Sequence, residues 1–242
     1  MTSTVHRVLK ADPVMAALIK LAGPCRIEPR PERAPFEALA RAIAHQQLHG
    51  VAAERILARF VALFADSSFP QPHHVLAASD AQLRAVGFSF AKVAALKDLA
   101  AKTVAAVVPA THEFEALSDL QIIERISAVR GIGRWTVEMM LIFQLRRPDV
   151  LPVDDFGVRN GFRLAYGLKA MPTPRALAQF GERWKPHRST AAWYLWRAVD
   201  LARQERLPRC EQPPRIALVK AAAKRAASKR AASKRASGRR RS

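Results

Sequence analysis

Between residues 90 and 108 the apolar side chains Val93, Leu96, Leu99, Ala100, Val104 and Val107 recur at steps of three and four. That period gives a helix one face for a core and one for water. Strict apolar/polar alternation, the mark of a half-buried strand, has no counterpart after Ile27. Helix starts are written in the chemistry of single residues. Ser79 precedes DAQLRAV, Ser118 has Gln121 three residues on in capping-box spacing, and Thr173 stands before Pro174, a residue tolerated at the first helical position. Gly50, Gly87, Gly167 and Pro152 punctuate the apolar runs and are read as stops. The pattern predicts about ten helices with short connections, an all-α fold of two helical lobes flanking a cleft. The Pro-rich stretch 24–35 sets a first short helix apart from the rest.

Composition adds a partner to this picture. Half of the 242 residues are hydrophobic, enough for a sizeable core, while 40 Lys and Arg against 20 Asp and Glu give a formal charge of +20. Ten of the basic residues fall in residues 220–242, KAAAKRAASKRAASKRASGRRRS, which has no acid and no aromatic residue and is expected to be a disordered tail. The rest of the chain still carries 30 basic residues against 20 acids, so the expectation of a nucleic-acid partner does not depend on the tail. The domains expected are a folded body over 1–207, a Pro-containing linker over 208–219 and the tail over 220–242. Two cysteines, Cys25 and Cys210, cannot ligate an iron–sulfur cluster or a Cys-only zinc ion. His73 and His74 adjoin each other with no third ligand near, so no zinc site is expected. The first twenty residues hold no continuous apolar run, so the expectation is an intracellular protein with no membrane partner, cytoplasmic and nucleoid-associated.

The segment ISAVRGIGRWTVEMM places Gly131-Ile132-Gly133 between the helix begun at Ser118 and an apolar run. Two glycines around one aliphatic residue permit a tight turn with uncovered N–H groups at a helix start, which suits a phosphate. With Ile126 and Val129 before it and Thr136 after it, the segment resembles the helix-hairpin-helix element that grips a DNA backbone without reading sequence. Asp155 follows in LPVDDFGVRNGFRLAYG, twenty-two residues beyond Gly133. Together with AIAHQQLHGVAAERI, VGFSFAKVAALKDLA and WKPHRSTAAWYLWRAVD, this resembles the helix-hairpin-helix base-excision glycosylases, and within them the alkylpurine branch, DNA-3-methyladenine glycosylase II.

The resemblance implies a role for each matching position. Asp155 becomes the catalytic carboxylate and Asp154 the helix cap. Trp135 stands where lyase-competent relatives supply a lysine, which implies a monofunctional enzyme that leaves an abasic site uncut. Trp135 and Trp196 form an aromatic cleft for a cationic base, Met139 lines it, and Trp193 is read as core packing. Leu48 matches the wedge that fills the vacated base stack, with Gln47 and His49 beside it. Gly131, Gly133, Arg134 and Thr136 belong to the phosphate hairpin. Gly87 and Lys92 form a second backbone contact, with Lys92 a helper or simply a solvated lysine. The carbonyls of Ser127, Val129 and Ile132 match those that hold a structural cation, and no other cofactor is expected.

Two classes of function follow. One is a base-excision repair enzyme, a monomer acting on double-stranded DNA that flips alkylated purines of the 3-methyladenine and 7-methylguanine type and hydrolyses their N-glycosidic bond. The other is a non-catalytic helix-hairpin-helix protein that binds or compacts DNA with a histone-like tail. Asp155, Trp135 and Trp196 together are required only by the first.

Overall fold

The computed structural model describes residues 2–27, 33–64, 68–208, 210, 212–216 and 218; the tail and parts of the linker lie outside the described residues. Among the described residues twelve α-helices follow in order: α1 (Thr2–Lys10), α2 (Pro13–Ala22), α3 (Pro35–His45), α4 (Gly50–Ala62), α5 (Pro72–Ala77), α6 (Asp80–Ala85), α7 (Phe90–Val104), α8 (Asp119–Ser127), α9 (Arg134–Phe143), α10 (Phe156–Ala165), α11 (Pro174–Gly181) and α12 (Arg188–Arg203). Two short 3-10 helices, Thr111–Ala116 and Glu182–Trp184, precede α8 and α12. The sole extended pairing among the described residues is an isolated bridge between Pro172 and Leu218. None of these helices is long and apolar enough to cross a membrane.

The predicted caps form as read. Ser79 and Gln82 close a reciprocal box on α6, Ser118 and Gln121 do the same on α8, and Thr173 caps α11 with Pro174 at its first position. Three expectations are corrected. The segment before residue 24 is two helices rather than one, because Asp12 ends α1 and caps α2. Gly50 does not stop a helix; it opens α4, and the left-handed residue in the preceding turn is Gln47, at φ 57°. Helix α7 stops at Val104, which is exposed, because Ala106 turns left-handed at φ 55° and directs Val108 into the core.

The chain divides into two compact units, one made of Met1–Cys25 with the chain from Leu151 onward, the other of Arg26–Val150. In the first, α10 packs on α12 around Phe162, Tyr166, Phe180 and Trp184. The approach is close enough that a Cβ on Gly161 would sit 1.9 Å from the Leu195 carbonyl oxygen. In the second, Phe60 lies at the centre of edge-on contacts with Phe64, Phe69 and Phe88, at centroid separations of 5.7, 5.9 and 5.3 Å. The second unit carries the turn between α3 and α4 and the hairpin between α8 and α9.

Candidate active site and phosphate hairpin

Helix α10 begins at a carboxylate, and that carboxylate is Asp155 rather than Asp154. Pro152 accepts the N–H of Asp155 at 3.1 Å, which turns the chain so that Asp155 is the N-cap and its Oδ1 accepts the N–H of Val158 at 2.7 Å. Asp154 is exposed and takes no part in the cap, so its expected role is corrected. The same Oδ1 also accepts the indole N–H of Trp196, on α12, at 2.9 Å. Gly157 makes this possible, since a Cβ there would stand 2.8 Å from Trp196 Cδ1 and 3.1 Å from Asp155 Oδ1. Two donors on one oxygen fix the orientation of the carboxylate. Trp193, as expected, is partly buried against the core, edge-on to Tyr194.

In the second unit the hairpin runs from Ser127 to Arg134. Gly131 has φ 76°, a left-handed backbone that glycine adopts without strain. Gly133 is different: it is extended, it caps α9, and a Cβ on it would meet nothing within 4 Å. Nothing inside the fold demands a glycine there, so bare backbone at that point faces outward. Arg134 is exposed and donates to buried Glu138 at 2.8 Å. Thr136, half-buried, returns its N–H to the Gly133 carbonyl at 3.0 Å. Trp135 is 51% exposed and, with Met139, Arg41, His45 and Gln46, lines a cavity of 820 Å³ within this unit. The structure thus brings Asp155 together with Trp196, and Trp135 together with Met139.

The HQQLHG segment is the turn from α3 to α4, with Gln47, Leu48 and His49 all exposed and Leu48 at 40%. Gly87, at φ 113°, is exposed beside the Arg59 guanidinium of α4. Lys92 is not a solvated lysine. It is half-buried, donates to the Ala44 carbonyl at the end of α3 at 2.7 Å, and burial lowers its pKa. Three residues absent from the sequence reading prove structural to the site. Gln46 donates to the Gly131 carbonyl at 2.8 Å, Asp98 accepts the Arg130 N–H at 2.6 Å, and Lys102 donates to the Ala128 carbonyl at 2.7 Å. The i,i+4 spacing of Asp98 and Lys102, the one acid of α7 and a lysine one turn on, is the signal for two of them.

For the hairpin carbonyls, the donor chemistry fits a hard cation. Val129 uses one lone pair on the Ile132 N–H at 3.0 Å and keeps a second, and the buried Ser127 hydroxyl beside the turn makes no hydrogen bond. Among the described residues no group of three His, Cys, Asp or Glu is arranged to hold a metal ion.

Residues 40–187 match the family described as HhH-GPD superfamily base excision DNA repair protein, and the chain belongs to that superfamily. It is 42% identical over 186 residues to DNA-3-methyladenine glycosylase 1 of Schizosaccharomyces pombe, across 76% of this chain and 82% of the relative. The structure of the Schizosaccharomyces pombe 3-methyladenine DNA glycosylase in complex with abasic DNA matches with a TM-score of 0.72 at 40% identity, over 83% of this chain and 98% of that one. A DNA-3-methyladenine glycosidase from Bacillus halodurans matches with a TM-score of 0.74 at 29% identity, over 84% of this chain and 92% of that one. The all-α reading and the helix-hairpin-helix assignment made from sequence both hold.

Proposed function

We propose that this protein is a monofunctional DNA glycosylase that removes alkylated purines of the 3-methyladenine and 7-methylguanine type from duplex DNA and leaves an abasic site. The observation that carries the reading is the Asp155 carboxylate, held by two donors at the start of α10 in a chain whose hairpin offers Trp135 in place of an amine. Without an amine at that position there is no Schiff base and no strand cleavage. The kinship with 3-methyladenine glycosylases supports the substrate class.

A purine nucleotide alkylated at ring nitrogen N3 or N7 is cationic, so when its N-glycosidic bond breaks, the bonding pair neutralises the departing base and C1′ of the sugar becomes oxocarbenium-like. No strong general acid is needed. Asp155 stabilises the developing positive charge, water adds at C1′ and releases one proton, and the products are free base and abasic DNA. Trp196 keeps the carboxylate in plane, and the exposed face of Trp135 attracts the electron-poor ring. Leu48 fills the space left by the extruded nucleotide, and the N–H groups at Gly131, Gly133 and the first turn of α9 meet a phosphate. Ser127, Val129 and Ile132 would hold a cation by their carbonyls, which would lend positive charge to that phosphate contact. The protein acts as a monomer.

The test is release of free base from methylated duplex DNA by the intact protein and by Asp155→Asn, with DNA binding measured in parallel. Asparagine caps a helix as well as aspartate, so the fold persists. Methylpurine release by the parent, reduced about 100-fold or more in the variant with binding retained, is the expected result. Tight binding by both without release would favour the architectural reading.

A further inference from the structure

Helix α7 carries one line of residues, Lys92, Ala95, Asp98 and Lys102, at steps of three and four that place them on a single face. Each meets backbone in, or in the helical turn leading into, a loop that the proposed function uses. Lys92 binds the Ala44 carbonyl one turn before Gln47 and Leu48. The methyl group of Ala95 lies under Gly131, 3.4 Å from where a Cβ would stand. Asp98 Oδ2 accepts both the Arg130 N–H at 2.6 Å and the Lys102 ammonium at 2.7 Å, and Lys102 passes on to the Ala128 carbonyl at 2.7 Å. Gln46 closes the circuit from the other side by donating to the Gly131 carbonyl, 85 positions along the chain.

We propose that this stripe of α7 is a positioning device: Asp98 and Lys102 hold the hairpin, Lys92 holds the α3–α4 turn, and one rigid helix thereby keeps the phosphate grip and the wedge in fixed register. The proposal rests on the DNA-binding reading above. A loop that must present N–H groups to a phosphate loses affinity if it is ordered only on binding. Here the ordering is done in advance, since hairpin backbone groups at Ala128, Arg130 and Gly131 are already paired by side chains of other elements. Burial opposes ionisation of Asp98, yet the Arg130 N–H and the Lys102 ammonium outweigh it and hold its carboxyl below the usual range. Lys92 spends one of its three donors on the Ala44 carbonyl, and in this proposal its part is to brace the turn.

Bare electrostatics predicts the opposite effect for Asp98. Removing an acid beside a polyanion strengthens binding, whereas removing a brace weakens it. The experiment compares the full-length parent with Asp98→Ala, Asp98→Asn and Lys92→Met, measuring binding to an abasic-site duplex and to its undamaged counterpart from about 50 to about 200 mM salt. Asp98→Ala should bind both duplexes about tenfold more weakly despite its lost negative charge. Asp98→Asn keeps an acceptor for Arg130 but no charge for Lys102, and should fall between, about threefold weaker than the parent. Lys92→Met should keep the parent's salt slope and lose preference for the abasic duplex.

A folded Asp98→Ala that binds as tightly as the parent or tighter overturns the proposal. So does a Lys92→Met whose salt slope falls by about one with its preference intact, the mark of a lost phosphate contact. If Asp98→Ala melts below the assay temperature, Asp98→Asn decides: weaker binding supports the brace, and equal or tighter binding overturns it. These readouts are independent of excision. A parent that binds the abasic duplex but releases no methylpurine would sink the glycosylase reading and leave the brace testable.

Discussion

The indole N–H of Trp196 donates to the same Asp155 oxygen that caps α10, at 2.9 Å, across 41 positions of sequence. Trp196 is therefore an orienting residue for the carboxylate, besides any face it offers to a base. Phenylalanine at this position keeps the ring and removes the donor. Trp196→Phe should slow single-turnover excision about tenfold, the worth of a hydrogen bond to a charged group, with abasic-duplex affinity changed less than about twofold. An unchanged rate would show that the indole edge does nothing for Asp155.

Asp12, in the first unit, is a carboxylate with both oxygens engaged. Its Oδ1 accepts the N–H groups of Val14 and Met15, and its Oδ2 accepts the Tyr166 hydroxyl at 2.6 Å and the Trp184 indole at 3.3 Å. Burial and the facing Asp12 raise the Tyr166 pKa well above its ordinary value, so the hydroxyl stays a donor. Asp12→Ala leaves two buried donors and a helix start unsatisfied, and should cost about 3 kcal/mol or more in urea unfolding. A loss under about 1 kcal/mol would mean that water replaces the carboxylate.

Asp98 makes a pH prediction with a definite sign. Its carboxyl is held below the usual value in the folded state, so its stabilisation is complete above the unfolded pKa of about 3.9 and is lost as pH falls through the folded value. The charges beside it are the Lys102 ammonium and the Arg130 side chain. The stability difference between the parent and Asp98→Asn should hold from about pH 7 to about pH 4 and close below that, read as urea midpoints. A gap that persists at about pH 2 would assign it to shape rather than charge.

The ten basic residues of 220–242 should act through counterion release. Deleting them is expected to reduce the salt dependence of DNA binding by several units of slope and to leave single-turnover excision at saturating protein nearly unchanged. A collapse of excision at saturation would give the tail a part in the reaction.

Local chemistry was legible in the sequence, and distant pairing was not. Ser79, Ser118 and Thr173 cap helices through bonds that span three residues, so spacing alone exposes them. Asp154 and Asp155 have identical side chains. Only the turn through Pro152 decides which of them faces Val158, and a turn is a property of the backbone. Gly50 opens a helix instead of stopping one because a glycine signals a stop only when its φ is positive, and here Gln47 takes that conformation. The resemblance singles out Asp155, Trp135 and Leu48, and it reports positions without their partners. Gln46 and Gly131 lie 85 positions apart, and Asp98 and Arg130 lie 32 apart, so no periodicity or motif links them.

The first unit is assembled from both ends of the chain, with all of Arg26–Val150 between its parts. During synthesis α1 and α2 leave the ribosome long before the residues that complete their core, since Tyr166 and Trp184 are needed to satisfy Asp12 and α12 is needed to cover α2. The second unit is one unbroken stretch that can form as soon as it is made. This chain order is expected to make folding run from the middle outward, with the Asp155 carboxylate, whose Oδ1 is held by Trp196 of α12, among the later features to take shape.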